Sequence, residues 1–310
     1  MNNRPNDRVP LSGAHIFTFL FSRTVSNVSY RIVYPFLPVL ARGLGVSIEE
    51  AGQLAAAQGG AGMVAPLFGP LSDRYGRRRV MVLGLLVLAV ASLVTLLTDQ
   101  FYLVLFAFAG FGIAKGLYDP AMQAYVGDLV PYAQRGRIIA ITELAWSFAW
   151  VLGVPVAGFL IERAGWNAPW AVVAVLALVA AALTHLLLPT TDGRSRHASR
   201  RNPWLDLLRQ PTVWGALLVS TGLLFSIENV LIVYGVFLED RFGLSTSAIG
   251  LVSIAVGVAE LLAEGGSVFL TDRLGKANSV FWGLVLFALS LGLLVPLGAT
   301  LWGALLAFPP

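Results

Sequence analysis

Hydrophobic runs of about twenty residues alternate with short polar segments along most of the chain. The runs occupy nine stretches, numbered as spans 1 to 9: 14–40, 50–71, 79–98, 102–129, 138–161, 168–189, 212–238, 247–270 and 278–297. Each run is long enough to cross a hydrocarbon core of about 30 Å as an α-helix. The residues after span 9 are too few for another crossing. The pattern predicts an all-α polytopic membrane protein with about nine transmembrane helices and a stub of a tenth.

The composition is typical of a protein whose solvent is largely lipid. Of the 310 residues, 57% are hydrophobic and 12% are charged, whereas a soluble domain carries about 25% charged residues. The chain has no cysteine, which excludes disulfides and thiolate metal sites. Its formal charge of +4 follows the loops and does not indicate a nucleic-acid partner. We expect a monomer in the lipid bilayer, with no cofactor and no metal ion.

The loops fall into two sets by charge. The N-terminal tail and the loops after spans 2, 4, 6 and 8 carry most of the basic residues, whereas the intervening loops carry only Arg42, Arg163 and Arg241. Basic residues in short loops favour the cytoplasmic side of a membrane. The asymmetry predicts a multi-pass protein of the plasma (inner) membrane with its N-terminus in the cytoplasm.

The polar segment between spans 2 and 3 carries a specific pattern. Residues 69–79 read GPLSDRYGRRR, with glycines at 69 and 76 on either side of Asp73 and Arg74. This segment resembles the loop G-x-L-[AS]-D-R-x-G-R-[KR] that joins the second and third helices of the major facilitator superfamily of secondary transporters. The resemblance implies two helical bundles that carry a solute by alternating access, as in the drug/proton antiporter members.

A second copy of this segment indicates an internal duplication. Residues 270–276 (LTDRLGK) echo residues 71–77 (LSDRYGR), at an offset of about 198 residues. The duplication predicts an N-terminal six-helix bundle at 1–189, a cytoplasmic linker at 190–210 and an incomplete C-terminal bundle at 211–310. A full second half would close near residue 386, so we expect that the sequence is truncated at its C-terminus.

The resemblance assigns a gating role to the charged loop. It implies that Arg77 pairs with Asp128 at the end of span 4, and that Asp73 meets the N-terminus of a helix in the second bundle. Such a latch holds one bundle against the other until rocking breaks it. The predicted gating residues are Gly69, Asp73, Arg74, Gly76, Arg77 and Asp128, with Asp272 and Arg273 in the second copy.

Polar and ionisable side chains inside the spans are candidates for transport, because such groups are costly in lipid. In the family, helices 1, 4, 7 and 10 line the central cavity. Matching by order places Arg31, Lys115, Asp119 and Glu228 near that cavity, so the first bundle would offer net positive charge and the second negative charge. That distribution of charge suits a substrate with an anionic or zwitterionic end, or a carboxylate that takes up a proton. The predicted substrate and proton residues are Asn27, Arg31, Lys115, Asp119, Glu228 and Glu260.

Two interpretations of these residues stay open. Arg31, Lys115 and Asp119 could contact the substrate, or they could form a buried structural ion network. Glu228 and Glu260 are the best candidates for proton coupling, because each lies near mid-span without an evident local cation.

Other charged residues have structural explanations. Arg23 and Glu264 lie near helix ends, where we expect them to snorkel to the membrane surface. Glu143 could pair with Arg135 or Arg137 instead of titrating during transport.

The function that the sequence favours is transport of a small organic solute by alternating access, as proton-coupled efflux. The end of span 1, residues 34–38 (YPFLP), is similar to that of drug-efflux members. A metabolite or sugar uptake carrier of the same fold is the alternative, and a truncated fragment that transports nothing is another. An enzyme is not expected, because His15, His185 and His197 are scattered and no catalytic motif is present.

Overall fold

The computed structural model describes residues 12–190 and 209–307, without the side chains of residues 66, 67, 133, 267–272 and 276. Most of the predicted linker, residues 191–208, lies outside this part. All regular structure in the described ranges is helical. The helices are α1 Gly13–Arg31, α2 Val33–Leu44, α3 Ile48–Gly62, α4 Gly69–Tyr75, α5 Arg77–Leu97, α6 Phe101–Leu129, α7 Tyr132–Glu143, α8 Ala145–Phe148, α9 Val154–Ala164, α10 Ala168–Leu187, α11 Pro211–Phe242, α12 Thr246–Leu274, α13 Lys276–Leu297 and α14 Leu301–Ala307.

Seven helical segments in the described part are long and apolar enough to cross a membrane, and they correspond to spans 3 to 9. Span 5 is built from α7, α8, a π-helical turn at Ala149–Gly153 and α9. Spans 1 and 2 are divided into shorter helices. Span 1 consists of α1 and α2, and span 2 consists of α3, a 3₁₀ turn at Ala65–Phe68 and α4. The all-α membrane fold is confirmed, and the count of nine crossings stays a prediction.

The break in span 1 has a local cause. Phe36 adopts φ −110° and ψ 16°, outside the helical range, between Pro35 and Pro38. A proline removes a backbone donor and clashes with the preceding turn of a helix. The chain therefore bends at Phe36, five residues after Arg31 ends α1.

The internal duplication recurs in the backbone. Gly45 and Gly243 end α2 and α11 in the left-handed region, with φ of 65° and 61°. Gly76 and Gly275 separate α4 from α5 and α12 from α13, with φ of 93° and 78°. Only glycine adopts such values readily. The same turns therefore occur in both halves of the sequence, which supports the duplication, while the division into two bundles stays a proposal.

Spans 3, 4 and 6 pack around an aromatic cluster in the first half. The ring of Trp170 stacks on Phe111 with centroids 5.0 Å apart and meets Phe108 edge-on at 5.5 Å. Spans 3 and 4 approach closely at Gly84, where an added Cβ would lie 2.8 Å from the carbonyl oxygen of Ala114. This packing fixes α6, which carries Lys115 and Asp119.

Spans 7 and 8 pack against spans 1 and 5 through small residues. Gly235 on α11 lies against the backbone of Pro35, and a Cβ on Gly257 of α12 would come 2.7 Å from the Cβ of Trp150. A Cβ on Gly158 of α9 would come 2.9 Å from a backbone oxygen of α12. Small residues let membrane helices approach closely. The polar side chains in the middle of these spans are thereby brought together.

Candidate functional site

The charged residues of different spans lie at a common depth. Lys115 is the midpoint of the 29-residue α6, and Glu260 is the midpoint of the 29-residue α12. Glu228 lies near the middle of the 32-residue α11, and Arg31 ends α1 beside the bend of span 1. If each span crosses the same hydrocarbon layer, we expect these four side chains to lie near the centre of the membrane.

Arg31 and Glu260 form an ion pair between span 1 and span 8. The Nη2 of Arg31 lies 2.9 Å from Oε1 of Glu260, and the two side chains are 11% and 17% exposed. The indole nitrogen of Trp150 donates to the same oxygen at 3.2 Å. The guanidinium carbon lies 4.6 Å from the ring centroid of Trp146 and 5.2 Å from that of Trp150. Two tryptophans of span 5 therefore flank the pair and shield it.

Lys115 joins span 4 to span 1. Its Nζ lies 2.9 Å from Oδ2 of Asp119 and donates to Oδ1 of Asn27 at 2.6 Å. The same Nζ lies 4.1 Å from the ring centroid of Trp146. Trp146 therefore contacts both Arg31 and Lys115, and it places the two cations beside one ring.

Arg23 is buried instead of snorkelling. Its side chain is 4% exposed, and its two terminal nitrogens reach both carboxylate oxygens of Glu143, at 2.7 and 2.9 Å. Asp119 lies 3.6 Å from the Nε of Arg23. The expectations that Arg23 reaches the membrane surface and that Glu143 pairs with Arg135 or Arg137 were wrong. Spans 1 and 5 turn these side chains toward each other, which their separation in sequence does not reveal.

The two carboxylates proposed for proton coupling differ in their partners. Glu260 has no cation nearby in the sequence, but the structure gives it Arg31 from span 1. Glu228 accepts a hydrogen bond from the hydroxyl of Tyr34. Among the described residues, no Lys, Arg or His side chain comes within 4.0 Å of Glu228. Glu264, expected to snorkel, accepts from Ser147 at 3.1 Å and so points at span 5.

Several buried polar atoms near this depth have no hydrogen-bond partner among the described residues. They are Nδ2 of Asn27, Nε of Arg31, Oε1 of Gln58 and Oε2 of Glu260. A buried donor or acceptor without a hydrogen-bond partner costs about 1–3 kcal/mol of folding free energy. Their concentration at mid-span marks a place where a polar ligand would be stabilised.

Sequence reasoning found Asn27 but missed other uncharged members of this site. Gln58 is fully buried in α3, and its side-chain nitrogen donates to the carbonyl oxygen of Tyr30 at 3.1 Å. An amide in the middle of an apolar run was the available signal. Trp146 and Trp150 are one helical turn apart, which places both rings on the same face. That spacing is also typical of ordinary packing.

The charged loop between spans 2 and 3 forms a cluster around Arg77. Its Nη2 lies 2.5 Å from Oδ1 of Asp73, its Nε lies 3.3 Å from Oδ2 of Asp128, and its Nη1 donates to the hydroxyl of Ser72 at 3.1 Å. The cluster joins the end of span 4 to this loop. Its gating role stays a prediction.

The other predicted gating residues lie around the same turns. Gly69 begins α4, and Gly76 ends it. The guanidinium of Arg74 lies 5.4 Å from the ring centroid of Tyr75. Arg273 is in the exposed last turn of α12, and the side chain of Asp272 lies outside the described part.

A family model described as Major Facilitator Superfamily matches residues 19–309. The chain belongs to this superfamily. The match covers both halves of the sequence, including the duplicated charged turns, so the resemblance that rested on residues 69–78 is confirmed.

Curated relatives show the same membership. The chain is 24% identical over 266 residues to the uncharacterized MFS-type transporter YwfA of Bacillus subtilis (strain 168), covering 82% of this chain and 63% of that protein. It is 26% identical over 285 residues to the purine ribonucleoside efflux pump NepI of Shigella sonnei (strain Ss046), covering 89% of this chain and 69% of that protein. The chain thus spans about two thirds of the length of these relatives.

Solved structures show the fold. The crystal structure of a D-xylose-proton symporter superposes with a TM-score of 0.70 at 17% identity, over 95% of this chain and 77% of that one. At this identity the similarity establishes the fold alone. The chain is a multi-pass membrane protein of a transporter superfamily, and the bacterial relatives place such proteins in the plasma membrane.

Proposed function

We propose that this protein carries a small organic solute out of the cell by alternating access, coupled to a counterflow of protons. The observation that carries the proposal is the Arg31–Glu260 pair, which joins the first and second halves of the chain at the middle of the membrane. Ionisable groups at this depth are rare outside substrate and ion pathways.

Alternating access requires contacts between the halves that form in one state and break in the other. At mid-span these are Arg31 with Glu260 and Tyr34 with Glu228. Nearer the end of span 7, Arg42 pairs with Glu239, with Nη1 2.6 Å from Oε1. Rocking of the two proposed bundles would separate these pairs.

Proton coupling needs a carboxylate that changes its partner during the cycle. Glu228 has a hydroxyl partner and no cation within 4.0 Å among the described residues, so a proton or a cationic group of the solute can neutralise it. Glu260 can exchange Arg31 for a proton when the halves separate. The efflux direction is supported by the similarity to NepI, which is described as an efflux pump. We also propose that the N-terminus is cytoplasmic and that the protein is a monomer.

The Arg77 cluster would act as the gate on the cytoplasmic side. Asp73 and Asp128 hold Arg77 from two directions, which ties the loop to span 4. Movement of the second half past this loop would require the cluster to change its contacts.

Flux through proteoliposomes tests the proposal. Purified chain is reconstituted with inosine inside or outside, and movement is followed with and without an imposed pH gradient. We expect a gradient that is acidic on one side to drive inosine toward that side. Glu228→Gln and Glu260→Gln should each abolish the gradient dependence and leave inosine exchange, whereas Asp240→Asn, at an exposed position of span 7, should retain both.

Four results would contradict the proposal. Flux that ignores the pH gradient would exclude proton coupling, and inosine or D-xylose moving with the protons would identify an uptake carrier. Chemical conversion of the solute would indicate an enzyme. Flux that appears only after a C-terminal extension of the chain would identify these 310 residues as a non-transporting fragment.

A further inference from the structure

One end of the mid-span site presents hydrogen-bond donors that have no acceptor. Nε of Arg31 and Nδ2 of Asn27 are buried and unpartnered among the described residues. Lys115 uses two of its three N–H groups, on Asp119 and Asn27. Arg31 and Lys115 both contact the Trp146 ring, and Asn27 touches Lys115. Buried cationic donors of this kind are satisfied by a carboxylate, which accepts from several at once.

The other end presents an acceptor with spare capacity. Glu228 accepts from the Tyr34 hydroxyl, while an ionised carboxylate offers about four acceptor positions. No cation among the described side chains lies within 4.0 Å of Glu228. A protonated amine matches this end in both charge and hydrogen bonding.

Aromatic rings connect the two ends. The Tyr30 ring lies 6.2 Å from the Trp146 ring at nearly a right angle, and 6.5 Å from the Tyr34 ring. The Nζ of Lys115 is 5.9 Å from the Tyr30 centroid. A flat ring packs favourably against the faces and edges of such side chains. The two ends are therefore joined through neighbouring rings, with Lys115 beside Tyr30 and Glu228 bonded to Tyr34.

We infer that this site binds a flat aromatic zwitterion with a carboxylate at one end of the ring and a protonated amine at the other. The carboxylate contacts Arg31, Asn27 and Lys115 from spans 1 and 4, and the amine contacts Glu228 from span 7. The inference rests on the proposed transport function, whose substrate class it names. Because the ligand touches both halves of the chain, its affinity depends on their separation.

A matched set of four ligands tests the inference. Isothermal titration of the full chain in lipid nanodiscs at pH 7 compares 4-(aminomethyl)benzoate, which has both charges and the ring, with three analogues. These are 4-methylbenzoate without the amine, 4-methylbenzylamine without the carboxylate, and trans-4-(aminomethyl)cyclohexanecarboxylate without the aromatic ring. We expect the first to bind about tenfold or more tightly than each analogue, because each loses one charge-assisted contact or the stacking.

Substitutions test which residues bind the amine of the ligand and which bind its carboxylate. Glu228→Gln should weaken 4-(aminomethyl)benzoate by about tenfold and leave 4-methylbenzoate within about twofold. Asn27→Asp should weaken both carboxylates and leave 4-methylbenzylamine unchanged or tighter. Asp240→Asn, about 18 Å along span 7 from Glu228, is the matched control and should change none of the four.

The ligand series decides the inference in the wild-type chain, even where a variant fails to fold. Equal affinity for any analogue, or no binding by the whole series, would overturn it. Tighter binding of the amine alone would identify a cation site at Glu228 instead. Binding needs no gradient, so a chain that binds the zwitterion without flux refutes the proposed transport alone. A chain that carries inosine without this preference refutes the zwitterion alone.

Discussion

Removing one partner of the Arg23–Glu143 pair distinguishes a structural ion network from a transport site. Glu143→Gln keeps the shape of the side chain and removes its charge. Arg23 is 4% exposed and would be left with Asp119 at 3.6 Å and with an amide oxygen. The pair links span 1 to span 5 and is not among the contacts between the first and second halves. We therefore expect a loss of stability without a change in proton coupling.

The size of the loss follows from burial and from the remaining partners. Removing one partner of a fully buried pair costs about 3–5 kcal/mol. Glu143 is 35% exposed, so water would solvate part of the site, and Asp119 would retain some attraction for Arg23. The expected cost is about 2 kcal/mol, which for a chain of this size is a fall of about 3 °C in Tm.

Thermal unfolding in detergent measures the effect, with the exposed Asp99→Asn as the control. The double variant Arg23→Met with Glu143→Leu removes both charges and fills the same space, so its Tm should return to within about 2 °C of wild type. A Tm of Glu143→Gln equal to that of Asp99→Asn, or a double variant less stable than the single one, would refute the reasoning. Loss of pH-driven inosine flux in a stably folded Glu143→Gln would place the pair in the transport pathway.

Three further predictions follow from close contacts. Arg78 donates to two carbonyl oxygens at the end of span 6, at 3.1 and 2.9 Å; Arg78→Met should lower the unfolding free energy by about 1–2 kcal/mol, and an unchanged Tm would contradict this. Gly257→Val places a Cβ 2.7 Å from that of Trp150 and should cost about 1–3 kcal/mol, whereas Gly257→Ala should cost less by the same assay. Asp128→Asn breaks a half-exposed contact with Arg77 and should lower stability by less than about 1 kcal/mol; the gating proposal requires a several-fold change in inosine flux, and unchanged flux would remove Asp128 from the gate.

Local features of the fold were readable from the sequence. Span 4 was predicted at 102–129, and the structure has α6 at Phe101–Leu129, because the length of an apolar run directly reflects membrane thickness. Ser47 and Glu50 form a capping box at the start of α3, with bonds of 3.2 and 2.9 Å. A cap depends on residues three apart, so its partners are visible without any tertiary information.

The pairing of the site residues was not readable in the same way. Glu143 is 120 residues from Arg23, and Glu260 is 229 residues from Arg31. Which face of a span points inward depends on its rotation against its neighbours, and an all-apolar helix gives little sign of that rotation. The exception is Lys115 with Asp119, which lie at i, i+4 spacing on one helix and pair at 2.9 Å. Because the rotation of the spans is not visible in the sequence, the sequence alone does not decide whether Arg31, Lys115 and Asp119 contact substrate or form an ion network.

The pairings reconcile proton exchange with a zwitterionic solute. Arg31 and Lys115 have carboxylate partners at 2.9 Å, whereas Glu228 has none of the described cations within 4.0 Å. An uncompensated carboxylate at mid-membrane is expensive, so either a proton or a cationic group should occupy it. A solute amine and a proton would then compete for the same oxygen atoms, which is the requirement for an exchanger. Glu228→Gln should leave the solute carboxylate bound and abolish only the exchange of solute for protons. Loss of proton coupling without loss of 4-methylbenzoate binding is therefore the combined signature of both proposals.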